Sequence, residues 1–182
     1  MIMNLRRVLG RFGGDRRGVS AVEFALLAPL MITLYVGCAE ISDGVAADRK
    51  VSLTAAALAN LAAQVTTISS TDMTNILDAS SAIIAPYSTS QLSITLSCIN
   101  IDANRNATVK WSVTRGGTAR SGSITVPSAL AVASTQLLLG EATYQYRPTV
   151  GYTVTGTLNL SDRMYMSPRI TAPTYNSTSC SS

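Results

Sequence analysis

The chain has 182 residues, 47% hydrophobic and only 13% charged, with mean hydropathy +0.26. That is too apolar for disorder and low in charge for a cytosolic enzyme, and the lack of any histidine removes the commonest general base and metal ligand. The formal charge of +4 sits at the start: Arg6, Arg7, Arg11, Arg16 and Arg17 face only Asp15 in residues 1–18, which leaves nine basic and nine acidic side chains for the other 164 residues. A nucleic-acid binder carries positive charge on its folded part, so no nucleic-acid partner is expected.

Residues 1–18 therefore read as a basic leader. Sixteen uncharged residues, Phe24 to Ala39, follow between Glu23 and Glu40. A membrane-spanning helix needs about 20 residues. Counting from Val19 to Ala39 gives 21, provided Glu23 is tolerated inside. Pro29 loosens a helix, which membrane segments accept more readily than soluble ones. Arginines ahead of an apolar segment stay in the cytoplasm while the following chain crosses. A buried core helix is the competing reading, and the arginine leader fits it poorly. Glu23 at the mouth of the segment is costly unless something pairs with it, and so marks function.

The helical text continues beyond Glu40 in ISDGVAADRKVSLTAAALANLAAQV, an alanine-rich stretch of high helix propensity. Val51, Leu58 and Val65 recur every seven residues with Ala55 and Ala62 between them, giving one apolar face. One long helix is expected over 19–66, membrane-spanning over 19–39 and amphipathic afterwards. A separate domain over 67–182 packs on the second half only. Asp43 and Asp48, close to Arg49 and Lys50, read as a solvated, charge-balanced stretch.

Within that domain TTISSTDMT is a polar break with capping residues. Met73, Ile76, Leu77, Ser80, Ile83 and Ile84 then share a helical face stopped by Pro86. From Gln91 the period becomes two. Leu92, Ile94, Leu96 and Cys98 alternate with polar residues, Asn104-Arg105-Asn106 turns the chain, and Ala107, Val109, Trp111 and Val113 alternate again. Ser123–Val126 reads as a short strand, PSALAVAST as a short helical piece, and Thr135–Arg147 and Arg163–Ile170 as further strands. Val150–Leu160 fits strand or loop. The fold class is α+β, a long N-terminal helix packed on a small antiparallel sheet of about four strands.

Cys98 lies on the first strand and Cys180 in the polar tail TYNSTSCSS. Such a tail has little reason to dock unless tied down, so a Cys98–Cys180 disulfide is expected, with Cys38 unpaired in the apolar run. The bland reading is three unrelated small apolar residues. Tyr144, Tyr146 and Tyr152 suit either an adhesive surface or ordinary strand packing.

The N-terminal text carries a resemblance. Gly18 followed by Val19, with Glu23 and Phe24 fifth and sixth after the glycine, resembles the processing site of type IV prepilins. The wider stretch RRGVSAVEFALLAPLM looks like the TadE-like minor pseudopilins of the tight-adherence (Tad) pilus system, and YQYRP and SDRMYMSPR agree with it. The resemblance implies cleavage after Gly18 by a membrane-embedded prepilin peptidase, with Glu23 retained for assembly. It implies a single-pass protein of the bacterial inner membrane, N-terminus cytoplasmic and C-terminal domain periplasmic, that can enter a surface pilus. The implied partners are the peptidase, other major and minor pilins, the inner-membrane assembly platform and membrane lipid. Cleavage would place a new ammonium on Val19, one helical turn from Glu23, so the carboxylate can offset that amine or a neighbour's.

A second text competes. YVGC at Tyr35–Cys38 resembles a bacterial lipobox, which would make the chain a lipid-anchored envelope binding protein not processed as a pilin. Tyr35 substitutes poorly for the usual leucine, and Glu23 and Pro29 intrude. No C-x-x-C, P-loop or helix-opening G-x-G-x-x-G is present. No enzyme activity, cofactor or metal is expected.

Overall fold

A computed structural model describes residues 17–148 and 156–181. Helix α1 runs unbroken from Arg17 to Ala62. It carries Pro29 without ending, and Thr33 Oγ1 donates to the Pro29 carbonyl at 2.8 Å. It stops three residues short of Val65, which is 37% exposed and not part of the apolar face. A two-residue strand, β1 (Thr67–Ile68), follows.

Helix α2 (Ser70–Ser81) begins at a reciprocal cap. The Ser69 side chain accepts from the Asp72 backbone N–H, while Asp72 accepts from the Ser69 N–H at 3.1 Å. Both bonds hold the Asp72 carboxyl below its ordinary range. Met73, Ile76, Leu77 and Ser80 face inward, and a 3-10 turn over Ala82–Ile84 buries Ile84 before Pro86.

The main sheet has five antiparallel strands, not about four: β2 (Leu92–Ile101), β3 (Ala107–Arg115), β4 (Gly122–Ser123), β5 (Thr135–Tyr146) and β6 (Leu158–Met166), ordered β4-β3-β2-β5-β6. The β2–β3 turn is organised by Asp102, which accepts from the Asn106 backbone and amide, with Arg105 in the left-handed region. These bonds hold the Asp102 carboxyl below its ordinary range, that of the Asn106 backbone contributing most.

Three strand expectations are corrected. Ser123–Val126 pairs only at Gly122–Ser123. PSALAVAST forms no helix: Pro127 opens a single turn in which the Leu130 and Ala131 N–H groups share its carbonyl, and Ser134 then takes a φ of 59°. The last long strand begins at Leu158 instead of Arg163, because pairing with β5 sets Glu141 opposite Arg163 and Tyr146 opposite Leu158. It ends before Pro168, which has no N–H to give a ladder.

Two cores result. On one sheet face Ile94, Leu96, Cys98, Leu138 and Ala142 meet α1 and α2. The helix offers small residues there: Ala47, Ala55, Ala59 and Ala62 are fully buried with Val51 and Leu58. Gly140 on β5 lets the two backbones meet. A Cβ there would collide with the Ala55 carbonyl oxygen and lie 3.0 Å from the Ala59 nitrogen. On the opposite face Ile99, Ile101, Leu137 and Leu139 pack with Ala107 and Val126 beneath the 116–134 excursion. Arg120 pins that cover through a two-pronged bond to Glu141, with Nη2 to Oε1 at 2.6 Å. The bond to Glu141 raises the Arg120 pKa.

The C-terminal tail docks against the far end of α1. Strand β7 (Thr174–Tyr175) pairs in parallel with β1, the Arg169 N–H donates to the Ala63 carbonyl, and Trp111 Nε1 donates to the Pro173 carbonyl at 3.2 Å. Cys98 and Cys180 are joined by a disulfide, Cα to Cα 5.9 Å across 82 residues, and Cys38 is free and exposed.

Candidate assembly site

The first half of α1 meets nothing else in the protein. Val19, Phe24, Leu27, Leu30 and Leu34 are all more than half exposed, Phe24 at 72%. A helix core has the reverse pattern, so the buried-core reading of this segment is wrong. The helix is long and apolar enough to cross a membrane, and its most apolar window is wholly unburied within the protein.

Gly18, Val19, Glu23 and Phe24 lie together on the first turns of this free segment, all exposed. Arg6, Arg7, Arg11, Asp15 and Arg16 of the leader lie outside the described residues. A Cβ on Gly18 would meet no heavy atom within 4 Å. Glycine inside a helix is unfavourable by about 1 kcal/mol relative to alanine. The fold gives no steric reason for glycine at this position. Cys38 sits within the uninterrupted helix, one turn before burial begins in earnest at Glu40, which is 7% exposed.

The other end of the anchor is held by a cluster that the sequence reading passed over. Asp43 is not merely solvated. Tyr87 donates to Asp43 Oδ1 and Tyr146 to Asp43 Oδ2, both at 2.7 Å. Tyr87 packs on the rings of Tyr144 and Tyr146, with centroids 6.1 and 6.2 Å away. Burial and then the Asp43 hydrogen bond push the Tyr87 hydroxyl up to about 12 and raise that of Tyr146 further. Tyr144 and Tyr146 are thus packing residues, 5% and 4% exposed. Tyr152 lies outside the described residues. One carboxylate on α1 clamps strand β5 and the loop after α2 at the point where the head begins. Only a motif for an i-to-i+44 or i-to-i+103 contact could have flagged it, and no such motif exists.

Residues 18–60 match the family model described as TadE-like protein. This is the chain's one resemblance to known proteins among the comparisons made: no curated protein and no solved structure matches. The TadE-like segment begins at the glycine of the Gly18-Val19-Glu23 motif and ends two residues before α1 does. It takes in the membrane half of the helix, Asp43 and most of the alanine face. It stops well before YQYRP and SDRMYMSPR.

Proposed function

We propose that the protein is a minor pilin or pseudopilin that takes part in assembling a Tad-type adhesive pilus after a prepilin peptidase cuts between Gly18 and Val19. The observation that carries this reading is the TadE-like match starting at Gly18, on a helix whose first half has no partner within the protein. In this reading residues 1–18 stay in the cytoplasm, 19–39 cross the inner membrane once, and the remainder forms the periplasmic head. The role is structural, made with other pilins and the inner-membrane assembly platform.

Several features support it. A peptidase at the cytoplasmic face requires a small residue before the cut and a flexible basic leader outside lipid. Gly18 is available for that task because packing makes no demand on it. Cutting frees the amine of Val19, and Glu23 stands one helical turn away. An unpaired amine entering a bilayer or helix bundle would cost several kcal/mol, and the carboxylate offsets it.

The experiment separates maturation from assembly. Gly18→Leu is expected to accumulate as the full-length precursor with its head folded. Glu23→Gln is expected to mature and accumulate normally but to fail in docking to the pilus machinery, read as lost surface piliation. Normal maturation of Gly18→Leu, or normal pili from Glu23→Gln, would contradict the corresponding role.

A further inference from the structure

A second apolar surface begins where the anchor ends. Ile41, Gly44 and Val45 of α1 face Tyr146, Leu158 and Leu160 of the β5–β6 hairpin across a groove of about 300 Å³. Ile41 is 57% exposed, Val45 48% and Leu158 40%. Val45 lies one turn beyond Ile41, so the groove wall continues the lipid-facing surface of the helix without a break. Nothing within the protein fills it.

The length of the anchor says what covers it. The 16 uncharged residues from Phe24 to Ala39 span roughly 24 Å at about 1.5 Å per residue, against a hydrocarbon core of about 30 Å. The shortfall is about four residues. At the exit end, Ile41 and Val45 lie roughly 3 and 9 Å further along the axis, and the hairpin widens the apolar surface there.

The polar groups at this pole suit a headgroup layer. Asp43, which would be costly near lipid, has both oxygens taken by tyrosine hydroxyls. Tyrosines are at home at membrane interfaces, with apolar rings inward and hydroxyls paired. Glu40 is buried within the protein. Asp48, one turn above Gly44, and the exposed Arg147 beside Pro148 put charges of both signs at the rim. That pattern complements a zwitterionic phospholipid headgroup, and Asp48 sets the depth beyond which the groove cannot sink.

We infer that the head is seated on the bilayer, with the groove between α1 and the β5–β6 hairpin filled by phospholipid at the boundary of headgroup and acyl chain. The inference rests on the membrane-anchor reading above. Seating on lipid makes the head and anchor one rigid lever, since the Asp43 clamp sits in the same layer. Extraction of the protein from the membrane would then uncover the groove along with the anchor.

The test uses the full chain, disulfide intact, in vesicles of phosphatidylethanolamine and phosphatidylglycerol containing lipids spin-labelled near the top of the acyl chain. In a Cys38→Ser background, Leu30→Cys, Val45→Cys, Leu158→Cys and Asn104→Cys each carry one fluorophore. Asn104 is in the β2–β3 turn at the opposite end of the sheet. Leu30→Cys, Val45→Cys and Leu158→Cys are expected to be quenched at least twofold more than Asn104→Cys. Quenching at Leu30→Cys alone, with Val45→Cys and Leu158→Cys matching Asn104→Cys, would overturn the inference and leave the anchor standing. No quenching at Leu30→Cys would overturn the anchor reading and the inference together. Cross-linking of Val45→Cys between copies without quenching would assign the groove to a second copy of the chain and overturn the lipid occupant.

Discussion

The two halves of α1 are one continuous helix with opposite surfaces. Before Glu40 its large residues point outward and its side chains touch nothing else in the protein. After Asp43 its large residues are few, and alanines at 47, 55, 59 and 62 are pressed against the sheet with no exposure. The first half is apolar all round, suited to lipid. The second is small on one face, suited to close backbone approach at Gly140. Helical continuity is the only thing they share, and it is what lets a membrane segment carry a folded head.

The contrast is broken most directly by matched leucine truncations. Leu58→Ala is expected to destabilise the head by about 2–5 kcal/mol, as a fully buried leucine does. Leu30→Ala, more than half exposed, is expected to leave the head's unfolding midpoint within about 0.5 kcal/mol of wild type. Denaturation of the detergent-solubilised protein, followed by the Trp111 signal, measures both. Equal losses would mean that the two halves are not energetically distinct.

The far pole tests whether the head depends on its staple. Removing the bridge with Cys98→Ser or Cys180→Ser is expected to cost about 2–4 kcal/mol and to loosen the tail beyond Pro173. Cys38→Ser should leave both stability and tail protection unchanged. Non-reducing peptide mapping with hydrogen exchange of the tail reads the difference.

The Asp43 clamp gives the smallest effect and the sharpest signature. Tyr146→Phe removes a hydrogen bond to a carboxylate and is expected to cost about 1.5–3 kcal/mol. Because the fold raises the tyrosine pKa values, this contribution is complete below about pH 10, the ordinary tyrosine value. It is lost as pH rises through about 12, where Tyr87 titrates. Wild-type stability should therefore fall over that window, and the Tyr87→Phe, Tyr146→Phe double variant should show a shallower decline. Parallel curves would exclude the clamp as the source.

Local pattern made much of this legible. The α1 composition, the α2 face from Met73 to Ile84, the β2–β3 alternation and the Gly18-Val19-Glu23-Phe24 spacing are all short-range features, and the candidate assembly residues need no tertiary context. What was hidden depends on distant partners. Ile99 and Ile101 continue the register of Ser93, Thr95 and Ser97, which read as solvent-facing. Only the 116–134 cover makes that face a core. Asp43 looked solvated because its partners lie 44 and 103 residues away. Strands β1 and β7 are two residues each, too short to carry a period. PSALAVAST has helical residues, but Pro127 and the need to cover Leu137 and Leu139 decide its path.

The central claim is that the lipid-facing half of α1 is released as a new N-terminus. Sequencing the N-terminus of the protein recovered from membranes tests it in one step. The account predicts a mature chain beginning Val19-Ser20-Ala21-Val22-Glu23. A chain still beginning at Met1 in cells that assemble the pilus, or one beginning at Cys38, would contradict it.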